Sequence, residues 1–125
     1  MRLALPDRLI LALGALAGLL GVLASAAAAH GGGTDSLKTA AQFLLFHAPV
    51  LIGLAALIAT GAVHRGLTRV SGAAILIGLA LFCGDLALRA LAATSLFPMA
   101  APAGGIVLML GWLIAAATAF VRVRV

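Results

Sequence analysis

Apolar positions in this chain do not alternate with polar ones; they run in four long blocks. The blocks extend roughly over Leu9–Ala29, Leu37–Val63, Val70–Ala93 and Ala103–Val121. A bilayer core about 30 Å thick needs about 20 apolar residues at 1.5 Å rise each. Each block therefore predicts a membrane-spanning helix. Between them lie "HGGGTDS", "HRGLT" and "TSLFPMAAP", all too short to hold a soluble domain. Pro98 and Pro102 punctuate the last connection, because proline fixes φ and lacks an amide hydrogen. The expected fold is all-α, an integral membrane four-helix bundle, with residues 1–125 as a single transmembrane domain.

Composition agrees with that pattern. Of 125 residues, 65% are hydrophobic and 9% charged, against roughly 25% charged in soluble domains. Too little polar surface remains to cover a soluble core. The net charge of +5 could suggest nucleic acid, but the basic residues cluster at the ends of the apolar blocks, so they read as topology signals and no nucleic-acid partner is expected. Arg2, Arg8, Arg65, Arg69, Arg122 and Arg124 fall on one side, Lys38 alone on the other, and Arg89 within a block. The positive-inside rule then predicts both termini in the cytoplasm. A rival reading takes "ASA" at Ala24–Ala26 as a signal-peptide cleavage site. The apolar run continues to Ala29, which favours a retained span.

Helices in lipid associate through close packing and polar bonds, because lipid tails compete equally for apolar contact. The first block carries Gly14 and Gly18 in GxxxG spacing, with Gly21 close by. The fourth carries Gly104, Gly105 and Gly111. These small residues are expected to pack within the bundle ahead of forming a homodimer. Trp112, near the middle of the fourth block, is expected to be structural, its indole N–H bonded inside the bundle.

Four polar residues at depth need an explanation: Gln42, His47, Asp85 and Arg89. Asp85 and Arg89 are four apart and share a helix face; each alone would cost roughly 2.5–3.5 kcal/mol at mid-membrane. Counting from the predicted ends puts His47 roughly 15 Å deep and Asp85 roughly 13 Å below the same surface. A polar cluster in the outer half is expected, with His47 donating to Asp85 and Arg89 balancing the charge. A structural clamp is one reading of it and a proton or ion relay the other. The inner half offers a relay only Thr60, Ser71 and Thr118. Pro49, two residues past His47, predicts a kink through loss of the hydrogen bond to the Leu45 carbonyl. His30 and His47 differ in depth by about 15 Å, too far for two axial haem ligands. No HExxH, phosphate-binding loop, nucleophile elbow or thiol pair is present, so no catalytic residue, metal or cofactor is expected.

With those features in view, the chain resembles the YgdD-type family of small inner-membrane proteins, domain of unknown function 423, whose eukaryotic relatives are called transmembrane protein 256. "LALGALAGLLGVLASAAAAH" looks like the family's opening helix. "FLLFHAPVLIGLAAL" is similar to its Tyr/Phe-His-Ala segment, which places His47 on the motif. "APAGGIVLMLGW" resembles its Thr-Pro-x-Gly-Gly…Gly-Trp signature through Pro102, Gly104, Gly105, Gly111 and Trp112. "GLALFCGDLALRAL" stands where the family usually reads Phe-Ser-Gly-Ser, so Asp85 and Arg89 depart from the pattern. The resemblance implies a four-helix inner-membrane protein and no established activity.

The expected role is a non-enzymatic accessory or scaffold subunit that meets a larger membrane complex through helix faces in the lipid bilayer. The alternative is a small transporter or proton conductor using His47, Asp85 and Arg89. A quinone- or lipid-binding module is a third reading, resting on apolar grooves alone.

Overall fold

A computed structural model describes residues 3–31 and 34–123 of the chain. Arg2 and Arg124, used above for orientation, lie outside the described residues. Four helices follow one another: α1 (Leu5–His30), α2 (Asp35–Thr60), α3 (Arg65–Ala92) and α4 (Ala100–Thr118). All four are long and apolar enough to cross a membrane. Each starts two to five residues before its apolar block; for α2 and α3 the polar caps Thr34 and His64 fall outside blocks bounded by hydrophobicity. Pro6 and Asp7 occupy the first turn of α1, where a missing N–H is harmless and a negative charge suits the helix dipole. Thr34 caps α2, its side chain accepting the Leu37 N–H at 3.2 Å. His64 does the same for α3, with Nδ1 accepting the Leu67 N–H at 3.1 Å. Gly61 ends α2 at φ 72°, a conformation that favours glycine. Pro49 lies inside α2 on an exposed face, and the helix continues through it to Thr60.

The four helices pack in series, and the bundle is open on one side. α1 lies against α2, α2 against α3 and α3 against α4; α1 approaches α3 sparsely, and the backbone of α4 runs beside α3 alone. The core centres on Leu51, Ala55, Ile75 and Leu79, with Ile10 and Leu108 closing it from the flanking helices. Leu19, Leu23, Met109 and Leu113 point outward, as lipid-facing side chains should.

Two glycine seams set the close approaches. On α1, a Cβ at Gly14 would lie 2.7 Å from the Leu51 Cβ, and one at Gly21 would lie 2.8 Å from the Leu45 Cγ. Gly18 is looser, with its nearest neighbour, the Ala48 Cβ, at 3.4 Å. Between α3 and α4 the fit is tighter. A Cβ at Gly104 would meet the Phe82 backbone nitrogen at 2.6 Å, and one at Gly111 would meet the Ile75 Cγ1 at 2.7 Å. Gly78 faces Leu108 across the same seam. Gly105 does not belong to it: a Cβ there would touch only the edge of Phe82, at 3.9 Å. Its neighbour takes the inward position, since consecutive helical residues differ by about 100° in direction.

Candidate functional site

The contacts that fix register also fix depth. Cys83 Sγ lies 3.6 Å from the Ala40 carbonyl, and the Phe43 and Phe82 rings meet at a tilt with centroids 4.5 Å apart. Continuing that antiparallel count brings Asp85 opposite Lys38–Ala40. His47 lies about two turns deeper, roughly 12 Å away along the axis. The expected level pairing of His47 with Asp85 is therefore corrected. Counting from apolar block ends began α2 too late and ended α3 too late, and it took as level two ends that are not, since α3 runs on past the start of α2.

Asp85 anchors a loop. Its Oδ2 accepts from Arg89 Nε at 2.8 Å, and its Oδ1 accepts the backbone N–H of Leu96 at 2.9 Å. The connection after α3 turns through Ala93, in the left-handed region at φ 52°, and folds back so that Leu96 meets Asp85. Since Gly104 packs against Phe82, α4 begins at about the level of Asp85, while the last two turns of α3 project beyond it. The Asp85 carboxylate is fully buried, whereas the Arg89 side chain is half exposed. Met99 gives α4 no side-chain cap. A carboxylate from the neighbouring helix thus sits near a helix start that lacks a cap of its own, where negative charge is favoured.

His47 belongs to a different tie. Its Nδ1 is 2.7 Å from the Phe43 carbonyl, and the Trp112 indole N–H donates to its Nε2 at 3.0 Å. A carbonyl only accepts and an indole N–H only donates. The pair of contacts therefore selects the neutral ring with hydrogen on Nδ1 and the lone pair on Nε2. Trp112 starts about one turn below His47 and reaches up to it, following the lean of helical side chains toward their own N-terminus. It remains 48% exposed, so one ring face borders lipid while the indole nitrogen joins α4 to α2 across α3. The expected His47–Asp85 bond is absent, because His47 spends both nitrogens elsewhere. Gln42 is exposed on the outer face of α2 and joins neither group. The four residues read as one cluster resolve into an Asp85–Arg89–Leu96 anchor, a His47–Trp112 link and an outward-facing amide.

A third tie was not foreseen. Arg69 of α3 grips Asp7 of α1 with both arms, Nε to Oδ1 at 2.7 Å and Nη2 to Oδ2 at 2.9 Å. Asp7 is 2% exposed and the Arg69 side chain 30% exposed. The pair closes α1 onto α3 at the end that carries the termini. An acid placed among basic residues just after Pro6 was the available signal, but the partner lies 62 positions away. Ser71, counted above as a possible step in a relay, donates from Oγ to the Gly111 carbonyl at 2.8 Å and joins α3 to α4. Thr60 and Thr118 bond back to carbonyls three residues earlier in their own helices. Among the described residues, no buried side-chain nitrogen or oxygen lacks a hydrogen-bond partner, and no three His, Cys, Asp or Glu side chains converge.

No curated protein and no solved structure matches the chain. The family described as "Protein of unknown function (DUF423)" matches residues 24–105, from the last turns of α1 through α2 and α3 to the first turns of α4. That match takes in His47 and Asp85 and stops short of Gly111 and Trp112, so it is narrower than the whole-chain resemblance of the motifs. The chain is a multi-pass membrane protein and belongs to the DUF423 family.

Proposed function

We propose that this protein is a small non-enzymatic subunit that packs against a larger membrane complex through its helix faces. In this reading it sits in a bacterial inner membrane with both termini in the cytoplasm. One observation carries the reading: His47, Trp112, Asp85 and Ser71 are consumed in tying one helix or loop to another, the buried threonines bond back within their own helices, and Gln42 alone points outward. What is left for partners is apolar surface, broadest on α1 and α4 and including Phe46 of α2 and Ile77 of α3, with Gln42 on the outer face of α2. Interhelical hydrogen bonds average about 0.6 kcal/mol, so their value lies in specifying which helices meet. A rigid, self-satisfied bundle with short loops suits a part that docks and holds.

The conducting alternative draws less support. A relay needs a group free to take up and pass on a proton, and both nitrogens of His47 and both oxygens of Asp85 are engaged. Gentle extraction in mild detergent, followed by size analysis and mass spectrometry, tests the proposal. Stable co-migration with larger membrane proteins is expected; a lone monomer or dimer under every mild condition overturns it. Proton flux in proteoliposomes provides the second arm. Flux in the parent that is lost in Asp85→Asn or His47→Ala would reinstate the relay.

A further inference from the structure

Three basic side chains from separate parts of the chain border one hollow at the end with the termini. His64 ends the turn between α2 and α3, Arg65 opens α3, and Arg122 follows α4. Beyond Thr118 the chain leaves the helix, and Val121, Arg122 and Val123 share the hollow with Ile58 and Val63. A charge bias that orients a span needs only arginines on one side of it. It does not require arginines so far apart in the chain to meet around one hollow.

The charge there is unopposed. Arginine stays protonated at any physiological pH. Among the described residues no acid borders the hollow. Asp7, the acid at this end, is buried and held by both arms of Arg69, and Asp35 and Asp85 lie toward the opposite end. His64 adds a donor: its Nδ1 accepts the Leu67 N–H, so the neutral ring carries its hydrogen on Nε2. The first turn of α3 starts beside these side chains, and its positive end reinforces their field.

Depth selects the kind of anion. α2 and α3 hold 26 and 28 residues, which rise about 39 and 42 Å. Bilayer hydrocarbon is about 30 Å thick, and about 40–45 Å with its headgroups. The turn between the two helices therefore lies in the headgroup layer, at the level of lipid phosphates. Ile58, Val63 and Val121 give the hollow an apolar wall beside its arginines, which suits a headgroup joined to carbon chains better than a fully hydrated ion.

We infer that this hollow binds the phosphate of an anionic phospholipid from the leaflet on the side of the termini. Arg65 and Arg122 supply charge, and His64 supplies a hydrogen bond. The bound headgroup ties the segment after α4 to the turn between α2 and α3, two parts that helix packing leaves apart.

Native mass spectrometry tests the inference. The intact protein in mild detergent is mixed with equal amounts of phosphatidylglycerol and phosphatidylcholine, and retained lipids are counted. Two arginines beside an anionic headgroup should favour phosphatidylglycerol about tenfold or more. Arg65→Gln with Arg122→Gln should reduce that preference to about twofold or less. Arg8→Gln, which removes an exposed arginine at the same end but outside the hollow, should leave it unchanged. Circular dichroism melting checks that the double variant folds. If it does not, Arg122→Gln alone, beyond the last helix, should lower the preference about fivefold.

Equal retention of the two lipids overturns the inference, as does an equal loss of preference in Arg8→Gln. Inorganic phosphate that raises the melting temperature as much as phosphatidylglycerol, where chloride at equal ionic strength does not, assigns the hollow to a soluble phosphate. A benzophenone residue in place of Val123 that captures protein and no lipid in native membranes assigns it to an acidic segment of a partner. Either result overturns the phospholipid assignment.

Discussion

Both ends of this bundle carry an Asp–Arg pair with a buried acid, and the two pairs do different work. At the end with the termini, Asp7 and Arg69 come from different helices and meet through a two-armed fork. That geometry turns both carboxylate oxygens toward one partner and clasps α1 to α3. At the far end, Asp85 and Arg89 come from the same helix, and the arginine takes only one oxygen. The other oxygen holds the Leu96 amide and with it the connection to α4. The same two residue types thus join helices in one place and shape a loop in the other. The partner's place in the chain decides the role: an arginine from another helix joins two helices, whereas one from the same helix leaves the Asp85 carboxylate to face the connection.

The comparison can be set in scale first by disrupting the α3–α4 packing beside the loop that Asp85 anchors. Gly104→Val should have the largest effect, because its side chain would enter the Phe82 backbone. Overpacking typically costs about 1–3 kcal/mol and more against backbone, and a large drop in melting temperature in detergent would show it. Gly105→Val, one position away in open space, should change little. If both melt alike, the α3–α4 seam is misassigned.

Charge reversal then separates the two pairs. The double variant Asp85→Arg with Arg89→Asp keeps opposite charges four apart but places arginine where Leu96 needs an acceptor. It should melt well below the parent, nearly as low as Asp85→Ala. Asp7→Arg with Arg69→Asp should recover only part of the stability lost in either single reversal, because the interhelical pair re-forms while the first turn of α1 loses its acid and the Ala4 amide its acceptor. Recovery at both ends would mean that the Leu96 bond contributes nothing.

A smaller, more specific effect concerns the clasp itself. Asp7→Asn should widen the distance between spin labels at the termini end of α1 and α3, read by pulsed electron resonance. The α1–α2 distances, set by the glycine seam, should stay fixed. The smallest expected effect is at the link that uses no charge. Trp112→Phe and His47→Phe should each lower stability modestly, and their double-mutant cycle should give a coupling near the membrane average of about 0.6 kcal/mol.

Much of this architecture was legible in the residues. Helix number, approximate bounds and the small-residue seams follow from local composition, and Asp85 with Arg89 follows from the helical repeat. The other contacts depended on distances along the chain that no local rule fixes. His47 finds Trp112 across 65 positions, and the choice between Trp112 and Asp85 hung on an axial offset of about two turns between α2 and α3. Hydrophobic block ends mislocate that offset, since caps such as Thr34 and turns such as Ala93 decide where a helix starts and stops.

By itself, then, the sequence determined that this chain crosses the membrane four times and where its helices can approach closely. Both are properties of composition read over one or two helical turns: hydrocarbon excludes an unpaired backbone, and a glycine is small wherever it stands. Tertiary structure alone decided which polar group meets which and left the bundle open where α1 and α3 part. It also turned Asp85 from one member of an expected cluster into the anchor of a loop. Those outcomes depend on helix register and order of packing, which are set by contacts among all four helices at once.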